Sequence, residues 1–166
     1  MGHSAGAHIL TSIFLDAAAS FTPLPADNDL LKPQDDLLHA VQGIAVASGI
    51  YDLEMLITAF PDYDKWYLKR AFRGPYEFWN TTRYPLHTNS HAMRWHIIHS
   101  TGDKHVDLPQ SEAIFNHLNV LYDEKGWDRR RITKDCDTLN TPHHYVQDAE
   151  FAQLIADWIK QDMKNY

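Results

Sequence analysis

The sequence predicts an α/β fold of about three parallel strands with flanking helices, and three observations point to it. Two short runs nearly free of charge, residues 41–48 and 95–100, read as strands covered on both faces. Around them lie segments whose apolar residues recur at helical spacing. The two kinds alternate along the chain, as parallel strands joined by crossover helices require. A length of 166 residues suits one domain, 1–166.

In chain order, Ile9, Leu10, Ile13, Phe14 and Ala17 line one face of a helix predicted over 5–19. Pro23, Pro25 and Pro33, set among Asp and Asn, predict a surface loop over 21–34. The strand at 41–48 stops at Gly49, and Asp52 then caps a helix through Leu53, Leu56, Ile57 and Phe60 that Pro61 ends. Residues 62–80 carry Tyr63, Trp66, Tyr67, Phe72, Tyr76, Phe78 and Trp79, whose large area suits core or lid packing. After the strand at 95–100 comes the turn Thr101-Gly102-Asp103. Pro109 opens a helix bearing Ala113, Ile114, Leu118 and Leu121 that stops near Gly126. A third strand is predicted over 131–137, a turn at 140–142, and a last helix over 146–160 that buries Phe151, Leu154, Ile155 and Trp158.

Composition narrows the function. An apolar fraction of 44% with five Trp, eight Tyr and seven Phe belongs to a packed chain. A formal charge of −7 opposes phosphate binding, and Arg129-Arg130-Arg131 is too short to reverse it, so no nucleic-acid partner is expected. Cys136 is the single cysteine, and no stretch has the length of a membrane span or the layout of a signal peptide; a cytoplasmic protein without membrane contact is expected. His96 and His99 would point to opposite faces of their strand, so no metal site is expected. Cys136 falls inside a predicted strand and is set aside as a nucleophile.

The chemistry-bearing pattern is Gly2-His3-Ser4-Ala5-Gly6, a Gly-x-Ser-x-Gly run directly ahead of a predicted helix. That is the layout of a nucleophile elbow, in which glycines at both flanks leave room for backbone around a sharply turned serine. A serine hydroxyl needs a histidine to take its proton and a carboxylate to fix that histidine's tautomer. In α/β-hydrolases these follow in the order serine, acid, histidine. Ser4, Asp103 and the His143-His144 pair have that order, on loops that leave the carboxyl ends of strands. Asp103 is preferred to Asp107 and Asp52, which lie near helix starts, and His144 is preferred to His143. The bland alternative for Ser4 is a helix cap.

Gly2-His3-Ser4-Ala5-Gly6-Ala7-His8 resembles the elbow of the kynurenine formamidases (arylformamidases), α/β-hydrolases that deformylate N-formylkynurenine in tryptophan breakdown. The stretch Gly49-Ile50-Tyr51-Asp52-Leu53-Glu54, Phe60-Pro61-Asp62-Tyr63-Asp64 and Arg70-Ala71-Phe72 is similar to the fungal branch, as is His99-Ser100-Thr101-Gly102-Asp103 with Gln110-Ser111. The likeness runs from Gly2 to the final helix. It implies Ser4 as nucleophile, Asp103 as acid, His144 as base, the N–H of Ala5 as an oxyanion donor, and His3 and Tyr51 lining the substrate. It also implies no cofactor, and N-formylkynurenine as the small-molecule substrate. Family members carry strands and a His-Gly-Gly loop ahead of the elbow. The sequence here opens at the elbow, so the carboxyl-terminal portion of an α/β-hydrolase fold is expected, with an open sheet edge beside 41–48 that admits a homodimer. The alternatives are a general carboxylesterase and an inactive fragment serving only as a folded remnant or interaction module.

Overall fold

The computed structural model describes residues 1–20, 33–72, 75–145 and 148–163. Four strands form one parallel sheet in the order β1-β2-β3-β4: β1 Gly2–His3, β2 Gly43–Ala47, β3 Arg94–Ile98 and β4 Ile132–Asp135. The expected three are therefore joined by a fourth, β1, too short to show as an apolar run. Its pairing of Gly2 with Val46 and His3 with Ala47 defines it. The edge expected beside 41–48 is β1 itself, since β2 is paired on both sides.

Alternation along the strands sorts side chains to two faces. Val46, Trp95 and Ile97 meet Ala7 and Phe14 of α1 (Ala5–Phe14) and Ile114, Leu118 and Tyr122 of α6 (Leu108–Glu124). Ala47 and Ile98 face the other way, onto Phe151, Leu154 and Ile155 of α7 (Ala149–Met163). On that face the Trp158 ring covers Gly43, where a Cβ would lie 2.9 Å from it, and stacks on His96 at 5.2 Å. Edge strand β4 buries Ile132 and exposes Thr133 and Lys134; a lysine there discourages edge pairing.

The helix expected over 5–19 breaks at Leu15, which turns extended and bridges Leu86, leaving α2 (Ala17–Ser20) separate. Tertiary pairing overrides local periodicity there: Leu15 is fully buried. Helix α3 (Asp35–Ala40) was not expected, and the loop expected at 21–34 lies mostly outside the described residues. Asp52 caps α4 (Leu53–Ala59) through its side chain, as read from the sequence. The aromatic stretch forms a π-helical turn at Asp64–Leu68, α5 (Lys69–Ala71) and a 3-10 turn at Tyr76–Trp79. Tyr63, Phe72, Tyr76 and Trp79 pack on a separate apolar cluster with Ile50, Leu53, Leu56, Leu68 and Val106, while Trp66, Tyr67 and Phe78 are exposed. Among the described residues no helix is long and apolar enough to cross a membrane.

The two elbow glycines are not equivalent. A Cβ on Gly2 would lie 2.5 Å from the Gly6 carbonyl oxygen, so β1 can approach the first turn of α1 only without a side chain at this position. A Cβ on Gly6 meets nothing within 4 Å, which corrects the expectation that both supply needed room. Gly2→Ala is therefore expected to cost about 1–3 kcal/mol, read as a fall in Tm, because overpacking must move backbone. Gly6→Ala is expected to hold Tm or raise it slightly, since alanine favours helix.

Candidate active site

Ser4 joins β1 to α1 at φ 54, ψ −123, a conformation that a residue with a Cβ adopts at a cost of order 1–3 kcal/mol. The surroundings enforce it. Its N–H donates to the Ala47 carbonyl at 3.0 Å, extending the sheet, while its own carbonyl accepts from Ala7 N–H at 3.0 Å and begins the helix. Ser4 thus occupies the cap position, yet its hydroxyl makes no capping hydrogen bond. The hydroxyl is turned instead to His143, with Oγ 2.9 Å from Nε2.

On its other side His143 presents Nδ1 to Asp103 Oδ2 at 2.6 Å. Its side chain is 8% exposed and that of Asp103 not at all. An ionised carboxylate only accepts, so the proton sits on Nδ1, and Nε2 is left as the acceptor for the Ser4 hydroxyl. Burial pushes the Asp103 carboxyl upward, but it is outweighed. The His143 hydrogen bond, the N–H groups of Val106 and His105, and the Ser48 hydroxyl, which lies nearby without a full hydrogen bond, hold it well below the usual carboxylate range.

Ser4, Asp103 and a histidine are thus brought together, and the histidine is His143. The preference for His144 is corrected: its side chain is exposed, with its ring 5.7 Å from that of His143 and 5.0 Å from that of His105. Both lie on a 3-10 turn, His143–Tyr145, where neighbours project about 120° apart, so one of the pair faces inward and the other out.

The loops that carry acid and histidine are stitched together. Ser100 Oγ donates to the Thr141 carbonyl at 2.6 Å and accepts from Thr141 N–H at 2.8 Å, and Thr101 N–H reaches the Leu139 carbonyl at 2.9 Å. A Cβ on Gly102 would lie 2.9 Å from Thr141 backbone, so the contact needs glycine there. Ser100→Ala removes both ends of that stitch. Expected are a loss of about 1–3 kcal/mol in stability by urea unfolding and slower turnover, because the histidine loop loses its register to Asp103.

The remaining expected residues fall as follows. Ala5 opens α1, where its N–H has no acceptor within the helix and faces the Ser4 turn. His3 is half-buried with its ring 4.6 Å from that of His143, so it flanks that histidine; burial and the neighbouring His143 lower its pKa. Tyr51 does not line an accessible surface: it is fully buried, against Ala7 and beneath Gly49, where a Cβ would lie 2.4 Å from its ring. Its N–H is held by Gln110 Oε1 at 2.8 Å, and burial drives its phenol pKa upward. Asp107 precedes α6 without a capping bond and does not touch His143. Cys136 lies just past β4, and burial pushes its thiol up to about 11, the opposite of an activated nucleophile. His96 bonds Thr133 and is pushed down to about 4 by burial, while His99 bonds Ser111 on the other face.

Sequence reading missed Ser48, Ser100, His105 and Val106 as supports of the site. Ser48 and Ser100 do share one signal, since each lies just past the carboxyl end of a strand, β2 and β3 respectively.

No protein-family model and no curated protein matches the chain. Among solved structures it is similar to a lipase/esterase from Lactobacillus plantarum, with a TM-score of 0.55 and 14% identity. The match covers 97% of this chain and 54% of that one, so the chain spans about half the length of the protein it resembles. The shared feature is the fold, an α/β arrangement with a parallel sheet and flanking helices.

Proposed function

We propose that the chain is a serine hydrolase acting on a carbonyl, and that its substrate is an aryl formamide of the N-formylkynurenine type. The observation that carries the reading is the unbroken chain from Ser4 Oγ through both nitrogens of His143 to Asp103. Ser4 attacks the formyl carbon as its proton passes to His143 Nε2, and Asp103 stabilises the imidazolium through Nδ1. The oxyanion forms next to the Ala5 N–H at the start of α1, where the helix dipole also favours negative charge. Collapse breaks the carbon–nitrogen bond, and His143 returns the proton to the departing aniline nitrogen. Water, deprotonated by the same histidine, then cleaves the formyl ester to formate and restores Ser4.

The formamide rests on the likeness of the elbow, of 49–54 with 60–72, and of 99–111 to the formamidases. A second reading, a carboxylesterase, is favoured by the structural likeness to a lipase/esterase. Rates on N-formylkynurenine and on short nitrophenyl esters separate the two. The account expects the formamide to have the higher kcat/KM; an ester preference selects the second reading, and activity that survives Ser4→Ala overturns both.

A further inference from the structure

We infer that Tyr63 and His105 are positioning residues of the triad, through which the aromatic segment between β2 and β3 sets how firmly Asp103 is held. The inference rests on the reading of Ser4, His143 and Asp103 as a triad. Two backbone N–H groups aim Asp103 Oδ1, those of His105 at 2.8 Å and Val106 at 3.0 Å. Both residues are anchored in the aromatic segment, outside the sheet. Val106 is buried in the cluster of Leu53, Leu56 and Leu68. His105 is exposed, but its Nδ1 is hydrogen-bonded to the Tyr63 hydroxyl at 3.0 Å. Tyr63 in turn stacks on Phe60 at 5.4 Å. One connected path therefore runs from Phe60 through Tyr63 and His105 to Asp103, His143 and Ser4.

The path has a chemical consequence. The Asp103 carboxylate fixes the orientation and tautomer of His143 only while it stays against Nδ1. Among the described residues Asp103, His3, His105 and His144 surround His143, the three rings at 4.6, 5.5 and 5.7 Å between centres, and His99 lies close enough to interact with it electrostatically. Releasing the Tyr63 hydrogen bond frees the His105 ring and slackens the loop whose N–H groups aim the Asp103 carboxylate. His143 is then less well oriented toward Ser4.

Tyr63→Phe is the variant that tests this, because it keeps the ring and its stacking. Tyr76→Phe is the control: it removes a hydrogen bond of similar length in the same segment, to Asp64 at 2.7 Å, which is not on the path. The readouts are the NMR resonance of the proton between His143 Nδ1 and Asp103 and steady-state kinetics, with near-UV circular dichroism checking packing. Tyr63→Phe is expected to move that resonance upfield, as a loosened Nδ1–H···Asp103 hydrogen bond requires, and to lower kcat about tenfold with KM within about twofold. Tyr76→Phe is expected to match the wild type in both. A Tyr63→Phe protein whose Nδ1 proton resonates as in the wild type, or two variants that behave alike, overturns the inference. If the wild type turns over no substrate, the hydrolase reading fails, and the resonance of the His143 Nδ1 proton still decides this one.

Discussion

His143→Gln is expected to reduce kcat/KM by about 10⁴-fold or more, while His144→Gln leaves it within about threefold. The contrast is sharp because the two residues are adjacent in sequence and alike in chemistry. His143 lies between Ser4 Oγ at 2.9 Å and Asp103 Oδ2 at 2.6 Å. Without an imidazole there, the serine proton has no acceptor and the hydroxyl keeps its ordinary poor nucleophilicity. His144 projects outward from the same turn and touches neither partner. Progress curves on the formamide and on an ester measure both variants, and equal loss in the two would show that the turn as a whole, not one ring, is what matters.

Asp103→Asn should be the next most severe change, lowering kcat by about 10⁴-fold with the fold intact. An amide can donate to Nδ1, which moves the imidazole proton to Nε2 and leaves Ser4 facing a donor. Asp107→Asn, four residues on and not in contact with His143, is expected to change kcat by less than about twofold. The same substitution carries a stability signature. The folded Asp103 carboxyl is held below its ordinary value of about 3.9, so the stabilisation it brings is complete above that pH and is lost as pH falls toward the folded value. The Tm of the wild type should therefore fall more steeply below about pH 4 than that of Asp103→Asn. Parallel curves for the two proteins would mean that this carboxylate is not bound in the folded chain as described.

The parts of the fold that were legible are those in which local pattern and final environment agree. Strands β2 and β3 are short runs, uncharged but for Arg94 at the start of β3, because both faces are covered, and α6 and α7 show their buried faces at helical spacing. Strand β1 was not legible, since two residues carry no pattern and only pairing with Val46 and Ala47 makes them a strand. The early end of α1 was hidden for a related reason: Leu15 satisfies a helical period but is drawn into a bridge with Leu86, far along the chain.

In the site, Ser4 and Asp103 were legible because their chemistry demands a chain order and a loop position. The choice between His143 and His144 was not, because it depends on the phase of a single 3-10 turn. Tyr51 reads as a ring beside a strand end, where substrate could lie. Its burial is fixed by the missing Cβ of Gly49 and by the approach of Ala7, and a linear sequence shows neither. The supports of Asp103 were hidden most deeply, because backbone N–H groups have no letter of their own in a sequence.

The claim on which the account depends is that the Ser4 hydroxyl is activated by His143. Labelling with a fluorophosphonate, followed by intact mass and peptide mapping, measures that activation without assuming a substrate. The account predicts one adduct, on Ser4, and none in Ser4→Ala or His143→Gln. A wild-type protein that takes up no label, or that is labelled at another residue while Ser4 stays free, would contradict it.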